Sequence, residues 1–181
     1  MVDIDGVISL FGVPQEDDGG DNAPRGGLHA VDGTVHFLSA TAAGHLLELS
    51  ELYDLVWASG WEERAEEHLP RLLGLPSGLP YLRFGREPGN AGAHWKLEAI
   101  ERFSEGRPLA WVDDCFNDAC HRWAATRTSP TLLVTTEPRD GLTARESTLL
   151  REWAIALDYP GTGAGTPAAS RAETASETAA P

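Results

Sequence analysis

Three short apolar runs in this chain end in residues that an ordinary strand avoids. Met1-Val2 runs into Asp3-Ile4-Asp5-Gly6-Val7, Leu55-Val56-Trp57-Ala58 into Ser59-Gly60, and Leu109-Ala110-Trp111-Val112 into Asp113-Asp114. Side chains alternate along a strand, so Asp3 and Asp5 at a carboxyl end point together toward one mouth of a sheet. Like charges that close repel and raise each other's pKa unless a cation or a substrate offsets them. Taken alone, Asp5-Gly6 reads equally well as the turn of a hairpin. The order of the later runs favours a site.

Lys96 lies between the second and third runs and is the only lysine among 14 basic residues. An ammonium is a compact point charge that fits beside a phosphoryl oxygen where a forked guanidinium does not. A solvated lysine at a helix start is the competing reading. Asp118 follows Asp114 by four residues. Strands ending in carboxylates or a hydroxyl, with a lysine between the second and third, describe a magnesium-assisted phosphoryl-transfer site.

Motif by motif, this order resembles the haloacid dehalogenase (HAD) superfamily. Asp3-Ile4-Asp5-Gly6-Val7 matches its first motif, Ser59 its second, Lys96 its third, and Asp113-Asp114 with Asp118 its fourth. The resemblance covers about residues 1–157, and the wording around Trp57 and Trp111 is most similar to small, nearly capless members, some related to HAD domains of RNA-repair proteins. It implies Asp3 as nucleophile and Asp5 as acid and base. It further implies Ser59, Gly60 and Lys96 as phosphate-binding residues. Mg2+ is then held by Asp3, the Asp5 backbone carbonyl and Asp113 or Asp114, with Asp118 orienting the metal's waters or holding Lys96. One departure stands out: only Met1 and Val2 precede Asp3, where the family has a central strand of four or five apolar residues. Either the start lies upstream or this strand is truncated.

A chain of 181 residues buries a sizeable core without staples. The net charge of −14 opposes nonspecific nucleic-acid binding, which needs cations to displace counterions. No apolar run approaches the ~20 residues of a membrane span, and no basic-then-apolar leader opens the chain. Cys115 and Cys120 match no zinc spacing. Reduced thiols and a cytoplasmic location are the plain expectation.

Periodicity divides residues 1–160 into alternating strands and helices. Residues 11–50 form a small flap insertion after the first strand, looped over 11–30 and with an Asp32-Gly33 hairpin signal. Helices are expected over 42–49, 62–73 and 94–103, along the face of Phe116, Cys120 and Trp123, and from the Thr143–Glu146 capping box to about 157. Strands are expected at 55–58, 81–84, 109–112 and 131–135. With the first strand, these make an α/β fold with a doubly wound, Rossmann-like, five-stranded parallel sheet. Ligands of such sheets bind beyond the strands' carboxyl ends. Residues 161–181 lack large apolar side chains and read as a disordered tail.

Trp57, Trp61, Trp95 and Trp111 lie near strand ends and read as packing residues, with Trp61 also a candidate for stacking on a substrate. His29, His36 and His45, in or after the flap, are candidates for substrate contact but read as surface residues. His94, two residues before Lys96, is no better supported, and Arg83 and Arg86 are candidates for a second phosphate but read as solvated. The expected function is a Mg2+-dependent phosphohydrolase acting on a small phosphomonoester or an exposed phosphate end. The alternatives are a non-catalytic HAD-like metal- or phosphate-binding module and a polynucleotide-end phosphatase, the latter disfavoured by the charge.

Overall fold

The computed structural model describes residues 1–12, 24–85 and 92–158. Part of the expected flap, Arg86 and the expected tail lie outside these residues. The elements are β1 (Ser9–Leu10), β2 (Gly26–Val31), β3 (Thr34–Ser39), α1 (Ala40–Leu49), α2 (Glu63–Leu73), a 3-10 turn (Ala93–Lys96), α3 (Leu97–Ser104), β4 (Leu109–Asp113), α4 (Asp118–Thr126), β5 (Thr131–Thr135) and α5 (Ala144–Asp158).

The expectation of a five-stranded parallel sheet is wrong. The chain is a small α/β protein with two separate sheets: an antiparallel one in the order β1-β3-β2, and a parallel pair, β4-β5. The segments at Val2, Trp57 and Tyr81 join the parallel pair only by single bridges, Val112 to Val2, Val2 to Trp57 and Trp57 to Tyr81. Their hydrogen bonds are well formed: Val2 N donates to Val56 O at 2.9 Å, and Asp3 N to Val112 O at 3.0 Å. Each of these contacts stays one residue long, and beside Tyr81 the imide of Pro80 has no N–H to extend a ladder.

Side chains alternate along these short segments and split the interior into two cores. Val2, Trp57, Ala110 and Val112 join one, with Ala42, Leu46 and Leu49 of α1, Leu69 of α2 and Leu150 of α5. Val56, Ala58, Leu109 and Trp111 face the other, with Ile100 of α3 and Cys120 of α4. All five residues of β4 are buried, as expected of a strand covered on both faces.

Residues 26–39 form the hairpin that Asp32-Gly33 signals, but its first strand begins at Gly26, inside the stretch expected to be loop. Asp32 and Gly33 both take positive φ, +48° and +82°, and set the Val31–Thr34 register. Ser39 then caps α1, its hydroxyl accepting from Ala42 N at 3.1 Å. Leu38 and the apolar stripe of α1 lie in the main core, so this part of the insertion belongs to the body of the domain. The Thr143 box opens α5: Glu146 Oε2 accepts from Thr143 N at 3.2 Å, and Thr143 Oγ1 from Arg145 N at 3.3 Å. Cys115 and Cys120 are free. Among the described residues, no helix is long and apolar enough to cross a membrane.

Candidate active site

The bridges that replace a full sheet still bring the polar ends together. Asp3 directly follows Val2, Ser59 follows Trp57 by two residues, and Asp113 ends β4. Asp3, Ser59, Lys96 and Asp113 are all buried, with Lys96 3% exposed and Asp113 1%.

Lys96 is brought in by the 3-10 turn that precedes α3. Its ammonium donates to Asp113 Oδ2 at 2.6 Å and lies 2.8 Å from Asp3 Oδ2. Burial pushes the Lys96 ammonium toward deprotonation, but Asp3 and Asp113 outweigh it and hold its pKa above the ordinary value. Among the described residues, one oxygen from each of Asp3, Asp113 and Asp114 lies within 4.8 Å of the others. Burial and the charge of Asp3 push Asp113 up to about 6, against the pull of Lys96 and of the Cys115 N–H. Burial and Asp3 raise Asp114 as well. Three carboxylates face a single ammonium, so the cluster keeps an excess of negative charge wherever they are ionised.

Asp113 has both oxygens occupied, Oδ2 by Lys96 and Oδ1 by the Cys115 N–H at 3.1 Å. Asp114 packs against Gly6, where an added Cβ would overlap its carboxylate. Gly6 has φ +73°, inside a tight turn in which Ile4 O accepts from Val7, Ile8 and Ser9 N at 3.1, 2.8 and 2.8 Å. This turn carries Asp5. Burial and Asp3 raise the Asp5 pKa, while Trp61, His36 and Ser9 oppose them.

The remaining sequence candidates fall in different places. Ser59 Oγ accepts from Trp61 N at 3.5 Å, and Gly60 O accepts from Arg64 Nη2 at 3.1 Å. Asp118 is exposed in the first turn of α4 and stands outside the three-carboxylate group; Lys96 is held by Asp3 and Asp113 instead. Trp61 is buried, which removes it as a stacking surface, and its Nε1 donates to Asp5 Oδ2 at 3.0 Å. His94 Nδ1 pairs with the side-chain amide of Asn117 at 2.8 Å, beside the cap of α4. Ser9 and the Asp5-facing role of His36 had no signal in the sequence, because cross-strand pairing places them.

An all-oxygen donor set with excess negative charge suits a hard divalent cation such as Mg2+. No protein-family model matches the chain, and no curated protein or solved structure compared with it does either.

Proposed function

We propose that this chain is a Mg2+-dependent phosphomonoester hydrolase of the HAD type, working through an aspartyl-phosphate on Asp3. The observation that carries this reading is the buried Lys96 ammonium shared by Asp3 and Asp113, with Asp114 beside them. A purely structural ion pair needs one carboxylate per ammonium. A third carboxylate beside this buried pair, the half-buried Asp114, costs stability unless another cation or a bound substrate uses it.

In this reading Asp3 attacks phosphorus in line, and the bond from phosphorus to the leaving oxygen breaks as the Asp3 ester forms. Asp5, whose pKa burial and Asp3 raise, gives its proton to the leaving oxygen. It then takes a proton from water as that water attacks the phosphoryl group and frees Asp3. Lys96 holds charge at Asp3 and beside the phosphoryl oxygens, and Ser59 and the Gly60 amide take those oxygens. Asp3, Asp114 and the Asp5 carbonyl would hold Mg2+, which when bound would neutralise phosphoryl charge. Asp114 is favoured over Asp113 as the direct ligand because both Asp113 oxygens already have partners.

The test is hydrolysis of 4-nitrophenyl phosphate with Mg2+ and with EDTA, in wild type and Asp3→Asn. Turnover that needs the metal and disappears in the folded variant supports the reading. Wild-type rates in Asp3→Asn contradict it.

A further inference from the structure

Asp5 has partners of its own away from the Lys96 cluster. Trp61 Nε1 donates to Asp5 Oδ2 at 3.0 Å, and Ser9, bridged to Asp5 through the backbone, lies beside this carboxylate and helps to oppose the rise in its pKa. Ser9 Oγ shares a hydrogen bond with His36 Nδ1 at 2.9 Å. The His36 ring packs edge-on against Trp61, with centroids 4.8 Å apart. Register explains how a hairpin residue reaches this place. Ser9 pairs with Leu38 across β1 and β3, and His36 lies two residues from Leu38, on the same face. Its neighbour Val35 points outward and is 65% exposed.

We propose that His36 is a positioning residue for Asp5, acting through Ser9 and Trp61. The inference rests on the reading of Asp5 as the acid that protonates the leaving oxygen. Proton counting gives the arrangement its direction. The Asp5 proton must stay free for the leaving oxygen, so the other Asp5 oxygen only accepts, and a serine hydroxyl has one proton to give. When Ser9 gives that proton to Asp5, His36 must donate from Nδ1 to the Ser9 oxygen. His36 thereby fixes the Ser9 hydroxyl, which would otherwise rotate, and braces the ring of the second donor, Trp61. Two donors on separate segments then hold the Asp5 carboxylate where it must meet the leaving oxygen. Such support matters because a general acid works only within hydrogen-bond reach, and a misplacement of about 1 Å costs ~100-fold in rate.

The test uses leaving groups of unequal need. A 4-nitrophenolate leaves without a proton, whereas the alkoxide of glycerol phosphate requires one. Because kcat/KM reports the steps up to the first departure, it isolates the acid role from the later attack of water. Ser9→Ala and His36→Ala should lower kcat/KM for glycerol phosphate about tenfold more than for 4-nitrophenyl phosphate. His36→Asn should recover most of this difference, since its amide nitrogen takes the place of Nδ1. Equal losses with both esters, or no loss with glycerol phosphate, overturn the proposal.

If the wild-type protein hydrolyses neither ester, the phosphatase reading itself fails. Positioning is then decided by hydrogen exchange at the Trp61 indole N–H. About tenfold faster exchange in Ser9→Ala and His36→Ala upholds it, and unchanged exchange overturns it.

Discussion

Lys96 Nζ lies 2.6 Å from Asp113 Oδ2, and both groups are almost wholly removed from solvent. The same nitrogen sits 2.8 Å from Asp3 Oδ2, so one ammonium serves carboxylates from two segments far apart in sequence. Removing one partner of a buried pair typically costs about 3–5 kcal/mol, because the other charge is left uncompensated. Lys96 therefore supports the fold at the same point where it sets the charge of the site.

The slot between the two oxygens takes one nitrogen. Lys96→Arg introduces a wider, forked cation that displaces a carboxylate or the phosphoryl group. The variant should fold, by far-UV circular dichroism, and lose roughly 100-fold in kcat, as a misplacement of about 1 Å does. Near wild-type turnover would return Lys96 to a structural role.

Gly6 touches the site through its missing side chain. It has φ +73°, and a Cβ there would overlap the Asp114 carboxylate. Gly6→Ala should destabilise the protein by roughly 1–2 kcal/mol from the backbone alone. It should also raise the Mg2+ concentration needed for half-maximal activity about tenfold. Unchanged metal dependence would separate Asp114 from the metal site.

Asp113 predicts a pH dependence. Folding raises its pKa from 3.8 to about 6, so the fold favours the protonated form. The stabilising contribution is complete below 3.8 and lost as pH rises through about 6. In EDTA, the melting temperature of wild type should therefore fall relative to that of Asp113→Asn between pH 5 and pH 7. A difference that stays constant over that range contradicts the assignment.

The box at Thr143 gives a control outside the site. Its Oγ1 accepts from Arg145 N at 3.3 Å, and Glu146 Oε2 from Thr143 N at 3.2 Å. Thr143→Ala should cost about 1 kcal/mol in urea unfolding. A loss below a few tenths would mean that α5 is held by packing alone.

Local chemistry was legible where it acts over a few residues. The Asp32-Gly33 turn, the box at Thr143 and the apolar runs of β4 and β5 each form as their residues dictate. β2 was not legible, since Gly26-Gly27 and its exposed outer side chains read as loop; pairing with β3 makes it a strand. The five-stranded sheet failed because alternation shows which face a residue takes but not how long a ladder will be. Asp3, Lys96 and Asp113 meet as the spacing suggested, and Asp118 does not join them. Asp113 and Asp114 are adjacent in sequence, so only geometry distinguishes them: the first is bound by Lys96 and a backbone N–H, the second lies against Gly6. Trp61 shows the same limit, because its burial and its bond to Asp5 depend on a segment 56 residues away.

The most direct test of the account is to trap the covalent intermediate. Protein mixed rapidly with 4-nitrophenyl phosphate and Mg2+ is quenched and treated with borohydride, which reduces an aspartyl-phosphate to homoserine. Peptide mass spectrometry then reads the N-terminal segment. Covalent catalysis by Asp3 predicts homoserine at position 3, present only with substrate and metal and absent in Asp3→Asn. Turnover with Asp3 unmodified under the same conditions would contradict it.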